Sequence, residues 1–330
     1  MRTGEAMNVL VTGAAGFLGQ RLIQALLARG GLRGGDGARP IERLVAFDAV
    51  APPGLADARV HCVQGDLADP AALGRACEGG IDSVFHLAAV VSGAAEADYD
   101  LGMRVNLDGT RALLEACRAQ AAAPTVVFAS SVAVFGGALP DVVLDSTTPA
   151  PQSSYGVQKL IGELLTGDCT RRGFIDGRAL RLPTIVVRPG RPNAAASSFA
   201  SGIIREPLAG EPALCPVDPE TRLWVLSPGQ AVAALVHAHE LPAAAWGAQR
   251  ALNLPGLTVS VQEMLEALRE VGGEAAVARV QFVHDERIAR LVRGWPASFD
   301  AARARALGFE ADAEIGSIVR AYAREQLSWP

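Results

Sequence analysis

The sequence predicts an α/β protein built on a doubly wound parallel sheet, with a smaller α/β lid towards its C-terminal end. Short apolar runs alternate with helical patterns through the first 187 residues, which is the order that parallel strands with crossover helices require. A glycine-rich turn joins the first apolar run to the first helical pattern. Beyond residue 187 the segments become short and proline-rich loops separate them, which predicts a second, smaller unit.

Composition argues against several classes of protein. With 330 residues, of which 50% are hydrophobic and 20% charged, the chain can bury a substantial core. The net charge is −5 and lysines and arginines form no block, which argues against a nucleic-acid surface. No apolar run approaches the length of a membrane span, and the first six residues lack the apolar core of a signal peptide. We therefore expect a cytoplasmic protein that does not bind a membrane.

The cysteines and histidines do not have the spacing of metal ligands. The five cysteines are scattered without a Cys-x-x-Cys pair, and the five histidines form no cluster. The sequence therefore predicts neither a disulfide framework nor a metal site.

The first strand and the turn after it predict a dinucleotide site. The apolar run Asn8–Thr12 leads into Gly13-Ala-Ala-Gly16-Phe-Leu-Gly19, and a helical pattern follows over residues 20–29. Glycines let the backbone approach a pyrophosphate, and the N-terminus of a helix favours its negative charge. A plain strand-to-helix turn is the alternative reading. In this strand–turn–helix context we predict a Rossmann-type cofactor site at Gly13, Gly16, Phe17, Leu18 and Gly19.

The second strand of the predicted sheet points to the identity of the cofactor. Residues 30–40 are polar and glycine-rich and are predicted to form an inserted loop, after which Arg43–Phe47 forms the strand. Asp48 follows at its end, where a carboxylate accepts hydrogen bonds from the adenosine ribose hydroxyls. Because a carboxylate repels a 2′-phosphate, we predict NAD rather than NADP. A capping role for Asp48 is the alternative.

Two further strand ends complete the predicted cofactor site. Gly65-Asp66-Leu67 follows the third strand, Val60–Val63, and places Asp66 near the adenine. The fourth strand, residues 82–87, ends at small residues that let backbone lie against the cofactor. His86 in that strand is interpreted as a structural histidine. A helix over Met103–Ala119 carries Asn106, either a cofactor contact or a buried structural amide. These segments contribute Asp66, Leu67, Leu87, Ala88, Ala89 and Asn106 to the predicted site.

A serine, a tyrosine and a lysine carry the predicted chemistry. Tyr155 and Lys159 are four residues apart and share one face of a predicted helix that runs to residue 171. A lysine ammonium beside a phenol favours the phenolate, which predicts a tyrosine pKa below its usual value of about 10. Such a tyrosine can take a proton from a substrate hydroxyl, and Ser131, just past the fifth strand, can hydrogen-bond the same hydroxyl. A hydride leaving the same carbon requires the acceptor that the N-terminal site predicts.

The remaining chain is predicted to close over this edge of the sheet. A sixth strand, residues 179–187, completes a sheet whose ligands bind beyond the carboxyl ends of its strands. Residues 7–187 are predicted to form the cofactor domain and residues 188–330 mainly a substrate-binding lid, interleaved with the first. The segments of this lid are expected to be too short for a core of their own. They are a helix near 203, a proline-rich loop over 207–219, strands at 222–226 and 252–254, and helices at 229–240, 261–271, 288–293, 300–307 and 315–327.

With these residues in place, the chain resembles the extended short-chain dehydrogenase/reductases, in their epimerase/dehydratase branch. The resemblance implies that Tyr155 is the base, that Lys159 holds the ribose and tunes Tyr155, and that Ser131 orients the substrate hydroxyl. It also implies a homodimer formed through the helices over 103–119 and 155–171. The matching motifs are Thr12-Gly13-Ala-Ala-Gly16-Phe-Leu-Gly19, Asp66-Leu67, His86-Leu-Ala-Ala89, Asn106-Leu-Asp-Gly-Thr110, Ser131 before Gly136, and Tyr155-Gly-Val-Gln-Lys159.

Departures from the family pattern narrow the expected substrate. Val132 follows Ser131 where dehydratases have an acidic residue, and Arg188-Pro-Gly-Arg-Pro-Asn193 replaces the Tyr-Gly-Pro segment of nucleotide-sugar enzymes. The run over 181–208 is similar to that of a family member that oxidises a four-carbon sugar acid, D-erythronate, at C2 with NAD. Such an acid needs a cation for its carboxylate and polar groups for its hydroxyls. The candidates are Arg188, Arg191, Asn193, Ser197, Ser198 and Arg222, together with Ser131 and Tyr155.

Three other functions remain open from the sequence. A nucleotide-sugar 4-epimerase would retain NAD and give no net NADH. A uronate dehydrogenase would differ only in its substrate. A binding protein without turnover would keep the fold, although the complete set of Ser131, Tyr155 and Lys159 argues against that reading.

Overall fold

The computed structural model describes residues 6–34, 37–52, 56–190 and 197–328. Eight strands within those residues form the main sheet: β1 (Met7–Thr12), β2 (Gly31–Gly34), β3 (Gly37–Asp48), β4 (Val60–Gln64), β5 (Ser83–His86), β6 (Thr125–Ser131), β7 (Asp176–Leu182) and β11 (Ala251–Asn253). Their order is β11-β7-β6-β5-β1-β3-β2, and β4 also pairs with β3. All pairs are parallel except that of β2 with β3. The predicted parallel α/β sheet is therefore confirmed.

Helices cover both faces of this sheet, because alternate residues of its central strands are apolar on both sides. In β1, Val9 and Val11 are buried on one face, whereas Leu10 is buried on the other. The first face packs against α1 (Phe17–Arg29) and α8 (Pro228–Glu240). The second face packs against α2 (Pro70–Ala76), α5 (Gly109–Arg118) and α6 (Ser154–Arg171). The chain leaves β1 towards β3 and later returns to β5, so the strand order reverses beside β1.

Short helices connect these layers on the side of the predicted site. After β5 the chain forms α3 (Ser92–Ala97) and α4 (Tyr99–Gly102), then one wide π-helical stretch over Met103–Asp108 that continues directly into α5. A 3₁₀ turn over Val132–Val134 follows β6. The helix predicted over 103–119 is thus present, but its first turns are wider than an α-helix.

The C-terminal segments do form a hydrophobic core of their own, which the sequence did not predict. Residues such as Ile203, Met264, Leu268 and Val319 are buried together in it. In one of its sheets β10 (Arg222–Leu226) lies between β8 (Thr184–Ile185) and β12 (Leu257–Ser260) and pairs with both. In the other, β9 (Ala213–Cys215) pairs with β13 (Val280–Phe282). The helices of this half are α7 (Ser198–Leu208), α9 (Ala243–Trp246), α10 (Val261–Val277), α11 (Glu286–Arg293), α12 (Ala302–Ala306) and α13 (Ile315–Ser328). Because α8 and β11 belong to the first layer, the two halves of the chain are interleaved.

The segment predicted as an inserted loop is a β-hairpin. Gly31 pairs with Pro40 and Leu32 with Arg39, so β2 runs antiparallel to the first half of β3. The pairing is stabilised by burial, since Leu32 reaches the same core as Met7. A single buried leucine among polar and glycine residues gave no recognisable alternation, which is why the sequence suggested a loop.

The sixth strand ends earlier than predicted. The ladder of β7 on β6 stops at Leu182, and after Pro183 the chain joins a different sheet as β8. Proline has no N–H to donate to a sheet ladder, so it separates the two strands. The apolar residues of the predicted strand, 179–187, do not themselves indicate that the chain passes from the main sheet to a second sheet.

Two buried histidines connect the sheet to its helices. His86 is 2.7 Å from Thr12 Oγ1 through Nδ1 and 2.9 Å from Thr110 Oγ1 through Nε2. His239 Nε2 lies 2.6 Å from Ser83 Oγ. Burial lowers the pKa of His86 to about 3 and that of His239 to about 4. His86 is therefore a neutral structural residue, as interpreted from the sequence.

These lowered pKa values predict loss of stability in mild acid. Below pH 6.5 the unfolded chain protonates both histidines while the native state does not, so the free energy of unfolding falls as the pH drops from 6.5 towards 3–4. Each histidine contributes up to about 1.4 kcal/mol per pH unit. Urea denaturation at pH 8, 6 and 4.5 measures this fall. His239→Asn is expected to reduce the fall in the free energy of unfolding, whereas the exposed control His284→Asn is expected to leave that fall unchanged. Equal stability at pH 8 and pH 4.5 would contradict the prediction.

Candidate active site

A cavity of about 1550 Å³ lies at the carboxyl ends of the parallel strands, between the main sheet and the C-terminal elements. Most residues predicted for the cofactor and substrate border it, so the fold brings together side chains from distant parts of the sequence. Its walls include Gly13, residues 15–19, Asp48, Asp66, Leu67, residues 87–93, residues 129–133, Tyr155, Lys159, residues 182–185, Arg188, Ser197, Leu223 and Trp224.

The glycine turn is shaped for close contact with a phosphate group. Gly13 has a φ of +73°, and a Cβ on it would lie 2.7 Å from the backbone nitrogen of Ala88. A Cβ on Gly19 would lie 2.1 Å from the carbonyl oxygen of Gly13. Gly16 caps α1 without a side-chain hydrogen bond, so the N–H groups of the first turn are not engaged by a capping side chain. This turn fits the pyrophosphate of a dinucleotide such as NAD.

Asp48 is fixed beside the glycine turn. Its carboxylate accepts hydrogen bonds from the N–H of Ala15 at 2.9 Å and from the N–H of Val50 at 3.1 Å. A carboxylate has about four acceptor positions, so two remain for ribose hydroxyls. The geometry therefore fits the predicted role of Asp48 towards a 2′-hydroxyl.

Asp66 has a partner that the sequence did not reveal. One oxygen accepts from the N–H of Ala68 at 3.0 Å, and the other forms an ion pair with Arg104. Both side chains border the cavity, next to Leu67. Arg104 stands in the π-helical stretch, and no motif marked it as a site residue. Together these groups give the adenine end of the cavity one acidic and one basic side chain.

Asn106 does not border the cavity and differs from the prediction of a cofactor contact. It is buried, its oxygen accepts from the N–H of Val90 at 2.7 Å, and its amide nitrogen donates to Val90 O at 3.0 Å and to Gln158 Oε1 at 2.7 Å. With these bonds the amide is used within the protein. It holds the backbone after Leu87–Ala89, which does border the cavity. Of the two readings of Asn106, the geometry favours the structural one.

Ser131 and Tyr155 meet at the centre of the cavity wall. Ser131 ends β6, and its hydroxyl accepts from the N–H of Ala133 at 3.1 Å. The same hydroxyl lies near enough to the Tyr155 phenol to lower the pKa of that phenol. Tyr155 lies in the first turn of α6, which Ser153 caps by accepting from the N–H of Gly156 at 3.2 Å. The capping serine and the end of the strand therefore fix both reactive hydroxyls. Both residues border the cavity, and their contact with one substrate hydroxyl stays a prediction.

The pKa of Tyr155 differs from the prediction. Burial of the ring raises it to about 12, whereas the hydrogen bond from Ser131 and the positive charge of Arg188 lower it. Lys159 has its Nζ 5.7 Å from the centre of the Tyr155 ring. In the protein alone the phenol is thus protonated at neutral pH, because loss of solvation outweighs the nearby charges. The sequence pointed to Lys159 as the charge that acts on the phenol, whereas Arg188 is the charge that lowers its pKa, and burial outweighs it.

Lys159 is held by the strand behind it. Its Nζ donates to the carbonyl of Ala129 at 2.8 Å and lies 4.8 Å from the centre of the Phe128 ring. Burial lowers its pKa to about 8, and the negative charge of Glu163, one turn further along α6, acts in the opposite direction. The ammonium is therefore a buried group whose charge depends on Glu163.

Glu163 itself belongs to a buried polar network. It accepts from Ser130 Oγ at 2.5 Å and from Arg181 at 2.8 Å, and Arg181 also donates to Asn253 Oδ1 at 3.2 Å. The guanidinium of Arg181 lies 4.9 Å from the centre of the Phe135 ring. This network joins β6, α6, β7 and β11 directly behind Ser131 and Lys159.

Arg188 is one of the arginines predicted to bind the substrate carboxylate. It follows β8, borders the cavity, and donates from Nη2 to Ser197 Oγ at 3.4 Å. Burial and the neighbouring Arg205 lower its pKa, whereas Tyr155 raises it. Within residues 6–34, 37–52, 56–190 and 197–328, no carboxylate forms an ion pair with Arg188. The guanidinium therefore faces the cavity within electrostatic reach of the Tyr155 phenol.

One predicted substrate residue of the described chain is not part of this wall. Arg222 is exposed at the start of β10, where it pairs with Ser260 and lies near Glu263, outside the cavity. The prediction that it faces the substrate is wrong, because the next two residues of the strand form the wall instead. Asn193, like Arg191, lies outside the described residues.

The sequence did not predict that one wall of the cavity is apolar. Trp224 and Leu223 border the cavity, and the Trp224 indole donates to Leu254 O at 3.3 Å while its ring lies 5.3 Å from that of Phe299. Two polar residues of α3, Ser92 and Glu96, also border the cavity. Glu96 accepts a hydrogen bond from the N–H of Ser154 at 3.0 Å. Charged and hydroxyl side chains mark candidate site residues in a sequence, whereas a tryptophan in an apolar strand carries no such signal.

Within the described residues no helix is long and apolar enough to cross a membrane. In the same part of the chain, no three side chains of His, Cys, Asp or Glu converge as metal ligands. All five cysteines are free thiols.

Comparison with known proteins identifies the family. The chain is 60% identical over 316 residues to D-erythronate dehydrogenase of Cupriavidus necator, covering 96% of this chain and 98% of the relative. It is 45% identical over 318 residues to D-erythronate dehydrogenase of Haemophilus influenzae, with coverage of 96% and 98%. The crystal structure of a nucleoside-diphosphate-sugar epimerase from Agrobacterium tumefaciens has a TM-score of 0.92 at 43% identity, covering 99% of this chain and 96% of that chain.

The family match agrees with the site. Residues 9–254, from the first strand through β11 and past the Ser/Tyr/Lys set, match the NAD dependent epimerase/dehydratase family. The predictions of an NAD cofactor and of a dehydrogenase are confirmed by the same comparisons. The chain belongs to the NAD dependent epimerase/dehydratase family and is an NAD-dependent oxidoreductase.

Proposed function

We propose that this enzyme oxidises D-erythronate at C2 to the 2-oxo acid, 2-dehydro-D-erythronate, with NAD as the hydride acceptor. The observation that carries the proposal is the guanidinium of Arg188, which borders the cavity near Tyr155 without an ion pair among the described residues. Arginine binds a carboxylate through two parallel hydrogen bonds, which fits a small sugar acid. The names of two full-length relatives support the same substrate.

The neighbours of Arg188 support a small substrate. Ser197 adds a hydroxyl beside the guanidinium, and Trp224 and Leu223 form an apolar wall fixed by the indole hydrogen bond to Leu254. Arg222, the other candidate cation within the described residues, is exposed outside the cavity, which leaves Arg188 for the carboxylate. We propose that residues 188–330 act mainly as the lid that supplies this end of the site.

The proposed mechanism uses the hydroxyls that meet at the cavity wall. Arg188 binds the C1 carboxylate, and Ser131 and Tyr155 hydrogen-bond the C2 hydroxyl. Tyr155 acts as the phenolate: it takes the hydroxyl proton while C2 gives up its hydrogen as hydride to the nicotinamide, so C2 becomes a ketone and Tyr155 becomes the neutral phenol. When bound, the oxidised nicotinamide accepts the hydride and adds a positive charge near the phenol. Lys159 is proposed to hold the nicotinamide ribose, with Glu163 maintaining its charge.

A nucleotide-sugar 4-epimerase is the second candidate. The related crystal structure from Agrobacterium tumefaciens is that of a nucleoside-diphosphate-sugar epimerase, and the same Ser131 and Tyr155 would serve that reaction. It differs in outcome, because an epimerase returns the hydride and releases no NADH. A uronate dehydrogenase differs only in the acid that Arg188 would bind.

A substrate survey tests the proposal. We expect purified protein to form NADH with D-erythronate at a rate well above that with D-threonate or hexuronates. No NADPH is expected with NADP, because Asp48 repels a 2′-phosphate. Absorbance at 340 nm measures both products, and heat-denatured protein is the control. Conversion of UDP-glucose to UDP-galactose, with no NADH from any acid, would favour the epimerase and overturn the dehydrogenase proposal.

The pH dependence of turnover tests Tyr155 as the base. Because the pKa of its phenol is raised, the active phenolate becomes more abundant as the pH rises, so kcat/KM is expected to increase through the alkaline range. Ser131→Ala removes a hydrogen bond that lowers this pKa and is expected to move the rise to higher pH. Tyr155→Phe is expected to reduce kcat at least about 1000-fold. NADH formation by Tyr155→Phe at the wild-type rate would contradict the proposed role of Tyr155. Tight binding of NAD by the same variant would show that it is folded.

We also propose a cytoplasmic homodimer. Leu164 on α6 is 66% exposed and Tyr99 on α4 is 59% exposed, which gives this side of the protein an unusual apolar surface. The five free thiols are typical of a reducing compartment. Sedimentation velocity is expected to give the mass of two chains, and Leu164→Glu to give that of one. A wild-type monomer at all concentrations would contradict the dimer.

A further inference from the structure

Three residues of one helix face converge on Arg188. Ser197, at the N-cap of α7, accepts from Arg188 Nη2 at 3.4 Å. Ser201, one turn later, accepts from the backbone N–H of Arg188 at 3.1 Å. Arg205, one further turn along, donates from Nη1 to the carbonyl of Arg188 at 2.7 Å. Residues four apart share a helix face, so this face of α7 contacts the side chain, the amide and the carbonyl of a single residue.

Two of these three residues lie behind the cavity rather than in it. Ser201 is fully buried and Arg205 is 7% exposed, and neither borders the cavity. Their contacts are to the backbone of Arg188, so they act on its position. Buried N–H and C=O groups need partners, and Arg188, in the segment after β8, obtains both from α7.

The charge in this region is unbalanced. Arg205 forms an ion pair with Glu206 at 2.5 Å. Among the described residues, Glu206 is the one carboxylate that pairs with either arginine, so two guanidinium groups share a single negative charge. The second oxygen of Glu206 is buried without a hydrogen bond in that part of the chain. The region therefore carries a net positive charge, which an entering carboxylate would balance.

We propose that Ser201 and Arg205 are positioning residues that hold Arg188 in the orientation required for the carboxylate of the sugar acid. This inference rests on the proposed function of Arg188. An arginine side chain has many rotamers, and fixing its backbone and one guanidinium nitrogen beforehand reduces the entropy lost when substrate binds. Arg205 adds a second positive charge near the carboxylate without contacting it.

The proposal predicts an effect on substrate affinity rather than on the chemical step. The carboxylate is bound in the same way before and during hydride transfer, so a weaker hold on it raises KM with little change in kcat. Loss of a hydrogen bond from a charged group is large enough to weaken binding about tenfold. The KM for NAD is expected to stay unchanged, because NAD is bound at the glycine turn.

The experiment compares Arg205→Met, Arg205→Lys, Ser201→Ala and Arg188→Met with wild-type enzyme on D-erythronate. Arg205→Met is expected to raise the KM for D-erythronate about tenfold, and Arg205→Lys to recover part of that loss by restoring the charge. Ser201→Ala is expected to raise KM by a smaller factor. Arg188→Met should raise it most. Arg269→Met, which changes an exposed arginine of α10 paired with Glu274, is the matched control.

Each outcome supports or overturns a defined step. A raised KM in Arg188→Met with unchanged KM in both Arg205→Met and Ser201→Ala overturns the positioning role and leaves the proposed function intact. Unchanged KM in Arg188→Met, or no turnover of D-erythronate by wild-type enzyme, overturns the proposed function and this inference together. If Arg205→Met does not fold, as judged by thermal denaturation, Arg205→Lys and Ser201→Ala decide the question. Equal losses of kcat for all variants would indicate general damage and contradict the proposal.

Discussion

The buried carboxylate of Glu163 is the constraint on which the site depends. It accepts hydrogen bonds from Ser130 and Arg181, and it provides the negative charge nearest to Lys159 on α6. A buried charge is tolerated only when it is paired and hydrogen-bonded, so these partners must keep their places. Since Ser130 precedes Ser131, the same network fixes the end of β6. The positions of the reactive serine and lysine thus follow from one buried ion pair.

Burial also shifts the pKa values at the site. The phenol of Tyr155, the ammonium of Lys159 and the ring of His86 all have pKa values shifted towards their neutral forms. A neutral phenol is a poor base, and the groups that favour its ionisation are the Ser131 hydroxyl and the charge of Arg188. The cavity is therefore poised so that added positive charge near Tyr155 promotes proton removal.

The substrate end of the cavity is assembled from the C-terminal half. Arg188 follows β8, Trp224 lies on β10, and α7 provides the face that contacts Arg188. These elements pack around a second hydrophobic core, whereas the glycine turn and Ser131 are held by the first. One half of the fold thus carries the residues predicted to bind the cofactor and the hydroxyls proposed to react, and the other supplies the groups proposed to select the acid.

Local sequence determined the cofactor half of this protein. The glycine turn, Asp48 at a strand end, and Tyr155 four residues before Lys159 are each visible as a pattern of residues close in sequence, so the alternating pattern was enough to predict the sheet and this edge of it. Tertiary structure alone decided the rest: the hairpin at Leu32, the place of Asn106 behind the wall, the exposure of Arg222 and the raised pKa of Tyr155. Each of these depends on which distant side chains exclude water or offer a hydrogen-bond partner, and such packing has no signature in the order of residues along the chain.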